Sequence, residues 1–161
     1  MEDILNRNGN TLKSLAAILS CIFLLAPVAF AQSAKPVNLK CESLSTPLGM
    51  DSAKPLLSWQ IRDSRLSARQ TAYRIQVAST EHILAGSKGD IWDSGRVESD
   101  NSRAVPYAGP ALEPSKRYYW RVSVWDQDGV ESAPSESSWW ETGLLRQENW
   151  KAKWRAGFRS A

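Results

Sequence analysis

Leu112-Glu113-Pro114-Ser115-Lys116-Arg117-Tyr118-Tyr119-Trp120-Arg121-Val122-Ser123-Val124-Trp125-Asp126-Gln127-Asp128-Gly129 decides the fold of this chain. Read at a period of two, Tyr118, Trp120, Val122 and Val124 fall on one face, and Tyr119, Arg121, Ser123 and Trp125 on the other. An apolar row opposite a mixed row predicts a half-buried strand of an antiparallel sheet. β-Branched and aromatic side chains suit that pleated surface. Asp126 to Gly129 supplies turn chemistry. The entry, Leu112-x-Pro114-x-x-x-Tyr118, predicts a tyrosine corner, in which the phenol bonds back to upstream backbone at the edge of a β-sandwich.

The alternation recurs on both sides of this strand. Val37–Cys41 is a first strand with Val37, Leu39 and Cys41 inward. Ser45 to Pro55 is a loop. Leu56–Ile61 follows, with Leu57, Trp59 and Ile61 on one face and Trp59 as the central core tryptophan. Arg62 to Arg69 is a loop between sheets. Gln70–Ser79 places Tyr73, Ile75 and Val77 against Arg74, Gln76 and Ala78. Glu81 to Gly89 is a loop with a helical turn at His82–Ala85. Ile91–Gly95 is a short strand, Arg96 to Arg103 a polar surface segment, and Ala104–Tyr107 a brief strand. A Ser-rich segment leads to Trp139–Gly143, with Trp140 and Thr142 inward. Seven short strands without a long amphipathic helix predict an all-β, antiparallel β-sandwich of the fibronectin type III/immunoglobulin-like kind.

The chain has 161 residues, 42% hydrophobic and 23% charged, which suits one domain; eight tryptophans are the compositional oddity. The net charge of +3 is unevenly placed. Arg146, Lys151, Lys153, Arg155 and Arg159 stand against only Glu148 near the C-terminus, so the basicity sits in a tail. Nucleic acid, which calls for a basic stripe across the fold, is not an expected partner.

Residues 1–31 have the pattern of a signal peptide, helical in its apolar run. Arg7 and Lys13 precede an apolar run from Leu15 to Ala31, which ends in Ala29-Phe30-Ala31. That run, interrupted by Pro27, sits at the lower limit for spanning a bilayer, so no membrane partner is expected after cleavage. The expected location is periplasmic or extracellular. Residues 32–36 form a linker, 37–145 the sandwich and 146–161 a tail towards a further domain. Cleavage would leave Cys41 as the lone cysteine, read as a small buried hydrophobe, so the fold relies on its core.

A series of short motifs in order is more specific than the sandwich. It runs Pro55-Leu56-Leu57-Ser58-Trp59, Gln70-Thr71-Ala72-Tyr73-Arg74-Ile75-Gln76-Val77 and Ile91-Trp92-Asp93-Ser94-Gly95-Arg96-Val97. Then come Tyr107-Ala108-Gly109, Tyr119-Trp120-Arg121-Val122-Ser123-Val124-Trp125-Asp126, Glu141-Thr142-Gly143-Leu144-Leu145 and Trp150-Lys151-Ala152-Lys153-Trp154. The series resembles the N-terminal fibronectin III-like module of bacterial α-L-rhamnosidases of glycoside hydrolase family seventy-eight. The resemblance implies a non-catalytic accessory module of a secreted enzyme acting on terminal α-L-rhamnosides. The catalytic carboxylates of that family lie in a downstream (α/α) barrel, so no catalytic residue transfers to a position here. Such chains usually continue past the paired tryptophans, and the ending after Trp154 is read as a truncation, a frameshift product or a split gene.

The residues themselves hold no obvious reaction centre. His82, the single histidine, falls in a predicted loop. Asp93 with Asp126 or Asp128 has the residue types of a glycosidase pair, but turn chemistry explains all three more simply. Asp126-Gln127-Asp128-Gly129 begins like a calcium loop, yet its glycine comes at the fourth place rather than the sixth, and Ser137 stands at the twelfth. No metal or cofactor is expected. Trp92, Trp125, Trp139, Trp150 and Trp154 have no core face assigned, which makes them candidates for sugar stacking or domain docking. Docking is favoured because Trp150 and Trp154 lie where a following domain would begin. The expected partners are therefore downstream domains of the same enzyme, and then rhamnose-containing glycans. The alternative class is a stand-alone extracellular carbohydrate-binding or adhesion module.

Overall fold

Eight strands form among the residues described, 34–86 and 89–151, in the computed structural model. They are β1 (Lys35–Cys41), β2 (Leu56–Arg62), β3 (Gln70–Ala78), β4 (Trp92–Asp93), β5 (Val97–Glu98), β6 (Val105–Pro106), β7 (Arg117–Asp126) and β8 (Ser138–Glu141). A short helix, α1 (Glu81–Ala85), follows β3 and is capped by the Thr80 side chain. One sheet has the order β1-β2-β6; the other runs β4-β3-β7-β8, with β5 also paired to β3. The expected all-β sandwich is therefore present. The additional strand is β5, which pairs Val97 with Tyr73 and Glu98 with Ala72 inside the segment read as polar surface.

The first strand begins earlier than its alternation suggests. Lys35 and Pro36 belong to β1 rather than to a linker, and Pro36 is buried. Asn38 takes φ 52° and the register with β2 shifts between Val37 and Lys40, which marks a β-bulge. The extra residue resets the pleat. Pro36, Leu39 and Cys41 consequently point inward, while Val37 is only half-buried. β1 is an edge strand, where a proline costs no ladder bond.

The core fills the space between the sheets. Tyr118, Trp120, Val122 and Val124 of β7 are all buried, together with Ile75 and Val77 of β3, Leu57 and Trp59 of β2, and Trp140 of β8. Tyr118 stacks on Trp140 at 5.5 Å, while Trp120 and Tyr107 meet the same indole edge-on. Trp59 packs edge-on against Tyr73 at 5.1 Å, and its Nε1 donates to Gln70 Oε1 at 2.9 Å. Gln70 Nε2 then donates to the carbonyls of Ser99 and Asn101, tying down the polar 96–103 segment. Removing a core tryptophan of this kind costs about 3–5 kcal/mol.

The tyrosine corner has the expected geometry, with the phenol as acceptor. The Glu113 N–H donates to Tyr118 Oη at 2.7 Å. Thr142 closes the same corner: its Oγ1 accepts from Lys116 N at 3.0 Å and donates to the Glu113 carbonyl at 2.6 Å. Within the expected 45–55 loop, a strap runs along β8. Glu141 N donates to Pro47 O, and Met50 N to Glu141 O, both at 2.9 Å, while Gly143 N donates to Met50 O at 2.7 Å. Met50 and Thr142 thereby form a parallel bridge at the edge of the second sheet.

Tyr118→Phe keeps the ring and leaves the Glu113 N–H without its acceptor. The expected loss is about 1–3 kcal/mol, seen as a lower urea midpoint with an unchanged slope.

Candidate functional site

The chemically versatile residues are engaged in holding the fold. Cys41 is fully buried, with its Sγ 3.8 Å from Met50 Sδ, and burial followed by Glu42 pushes the thiol up to about 12. A thiol so raised is not a nucleophile near neutral pH. His82 is exposed on α1. Asp93 grips Arg74 through two bonds of 2.8 and 2.6 Å and accepts from Gln76 Nε2 and the Gly95 N–H. The Arg74 hydrogen bond holds its carboxyl down at about 2, against an opposing effect of burial.

At the far end of β7, Asp126 Oδ1 accepts the N–H groups of Asp128 and Val130, which closes the turn. Its other oxygen receives Arg65 Nη2 at 2.7 Å. Arg65 also reaches Asp63 and Asp128, so the cation among these carboxylates is a guanidinium. Burial works against the Asp126 charge, but Arg65 and the two amides outweigh it and hold the carboxyl below its ordinary range. Among the described residues, no group of three or more His, Cys, Asp or Glu is placed to hold a metal ion.

The five tryptophans singled out in the sequence are scattered over the molecule. Trp125 is buried at 8% exposure, with the Arg96 guanidinium 4.9 Å from its ring, so it is not a free platform. Trp92 is partly buried and packs edge-on against Tyr107 at 5.0 Å at the margin of the core. A strand of two residues, Trp92 and Asp93, has no alternation from which its inward face could be read. Trp139 is half-buried, opposite Tyr119, with the Arg117 guanidinium 3.9 Å from its ring. Trp150 is 56% exposed. Trp154 lies outside the described residues.

Trp150 sits where the chain leaves the sandwich, beyond a 3-10 turn over Gln147–Asn149. Asn149 Nδ2 donates to the Leu144 carbonyl at 2.7 Å, and Ser115 N donates to Gly143 O at 2.9 Å, fixing this exit segment to the tyrosine corner. A groove of about 600 Å³ is lined there by Gly49, Asp51, Gly143, Leu144 and Trp150. A second, of about 560 Å³, runs beside Pro110 and Pro114. Leu145 and Arg146 line both and form the ridge between them. Leu145 holds φ 58°, a left-handed conformation that costs a non-glycine residue about 1–3 kcal/mol. Gly143 fits because a Cβ there would stand 2.6 Å from Asp51 Oδ1. The ridge was not visible in the sequence, since its walls come from three separate segments.

Residues 36–146 match the family described as the Rha78A-like, N-terminal immunoglobulin domain. The chain belongs to that family. An α-L-rhamnosidase of Streptomyces avermitilis is 51% identical to this Rha78A-like domain over 113 residues, 70% of this chain and 11% of that protein. The crystal structure of Streptomyces avermitilis α-L-rhamnosidase complexed with L-rhamnose superposes with a TM-score of 0.72 at 46% identity, covering 75% of this chain and 12% of that one. The α-L-rhamnosidase structure from Dictyoglumus thermophilum also gives a TM-score of 0.72, at 42% identity, over 74% of this chain and 13% of that one. The Rha78A-like domain thus spans about an eighth or less of the length of these relatives, and the resemblance read from the ordered motifs is correct at the level of the module.

The Asp93 pair gives a pH prediction. Its folded carboxyl lies below the ordinary value, so its stabilising contribution is present above that value and is lost as pH falls through about 2. Arg74→Ala should return the Asp93 titration towards about 4, read by carbon-13 NMR of the side-chain carboxyl.

Proposed function

We propose that the chain is the non-catalytic leading module of an exported α-L-rhamnosidase, a glycoside hydrolase releasing terminal α-L-rhamnosyl residues. The observation that carries this reading is the size of the match: the rhamnosidase relatives align at 51% and 42% identity, yet over only 11% and 12% of their own lengths. Rhamnoside hydrolysis would therefore be performed by other parts of such a protein. The carboxylates of this module agree with that division. A glycosidase needs one acid with a raised pKa facing a second carboxylate across the sugar. Asp93 and Asp126 are instead held below the usual range by arginines.

The module would act by packing. Trp150, Leu144 and Leu145 present apolar surface at the end from which the chain exits, and such patches mark contacts with neighbouring domains. Export is supported by the N-terminal apolar run ending in Ala29-Phe30-Ala31.

The purified chain should release no nitrophenol from p-nitrophenyl α-L-rhamnopyranoside under conditions where the Streptomyces avermitilis relative does. Turnover that survives purification to homogeneity would refute the accessory role.

A further inference from the structure

We infer that the groove between β1 and β8 is a carbohydrate subsite that receives one pyranose ring against Trp139. This goes beyond the module's place in an enzyme and does not depend on what the rest of that enzyme does. β1 and β8 are the outer strands of the two sheets, and the groove lies at the Ser138–Trp139 end of the seam between them, short of the strap that covers Glu141. The cavity along it measures about 470 Å³, within the range of small-molecule sites.

Its lining has the mixture a sugar requires. Trp139 lines the groove, whereas Arg117, whose guanidinium covers one face of its ring at 3.9 Å, does not, so the ring meets the groove by the side that Arg117 leaves uncovered. Asn38 enters the groove from the bulge, where φ 52° suits an asparagine. Its Nδ2 donates to Gln60 Oε1 at 2.7 Å, which orients the amide and leaves the carbonyl oxygen for a ligand hydroxyl.

Lys35 and Arg62 stand directly opposite each other across β1 and β2 and both line the groove. Like charges facing across a ladder destabilise it. Neither forms an ion pair with a described residue, although Glu136 lines the same groove. Two cationic donors and one carboxylate acceptor, unpaired with one another, fit a ring whose edge carries several hydroxyl oxygens and whose face is C–H. A purely apolar ligand would leave all three charges idle, and a phosphate would engage Lys35 and Arg62 but leave Glu136 and the Trp139 ring without a partner.

The test is nitrogen-15 NMR of the complete chain titrated separately with L-rhamnose, D-galactose and D-glucuronate. At least one sugar should saturably shift the Trp139 indole N–H and the Asn38 amide while leaving the Trp150 indole unmoved. Trp139→Ala should weaken that binding by about tenfold or more. Asn38→Gly retains the left-handed backbone and should weaken it as well, so a failure of the first variant to fold leaves the second to decide. The subsite is refuted if none of the three sugars gives a saturable shift, if the shifts centre on Trp150, or if the folded variants bind like the unaltered chain.

Discussion

Trp140 is the residue on which the two sheets close. Its indole stacks on Tyr118 and takes Tyr107 and Trp120 edge-on, so one ring from β8 reaches β7 on its own sheet and the chain just beyond β6 on the other. The cluster carries a cost: Tyr107 Oη, Trp120 Nε1 and Trp140 Nε1 are buried without a hydrogen-bond partner among the described residues. Each such group costs about 1–3 kcal/mol. Burying a large aromatic ring contributes about 4–6 kcal/mol, at 25 cal/mol per Å² over 150–250 Å², and offsets this. The fit is tight enough to dictate a glycine. A Cβ on Gly109 would lie 2.4 Å from Tyr107 Oη.

Around that centre the two ends of the sandwich differ in kind. The turn after β7 is tied by ions, with Arg65 drawing the β2–β3 loop onto Asp126 and Asp128. The opposite end is tied at its centre by hydrogen bonds through Tyr118 and Thr142, with the Lys116–Glu113 and Arg117–Glu141 ion pairs at its surface, and it exposes Trp150. Both ends keep apolar surface: Leu66, beside Arg65 in the β2–β3 loop, is 98% exposed, and Trp150 at the other end 56%.

The legible parts of this fold were those in which local pattern and tertiary burial agree. The β7 row, the β3 row and Trp59 all read directly from a period of two, and Leu112-x-Pro114-x-x-x-Tyr118 announced its own hydrogen bond. The bulge at Asn38 was hidden because one extra residue inverts the pleat without changing composition. β5 was hidden because a strand of two residues, Val97 and Glu98, has no period to detect. Trp125 lies on the face that the alternation gives it; what the alternation could not show is that Arg96 folds over it from another part of the chain. The grooves were illegible because residues distant in sequence build each of them, Asp51 and Trp150 one, Lys35 and Trp139 another, and Ala53 and Asn149 the third.

The strap from Pro47 to Met50 bears on how such a domain behaves in company. Both backbone groups of Glu141 are occupied by that strap, at the position where a terminal strand would otherwise offer a template. Exposed strand edges recruit foreign chains into fibres and swapped dimers. By laying its own backbone there, the polypeptide protects this flank from self-association, and it does so with no covalent cross-link.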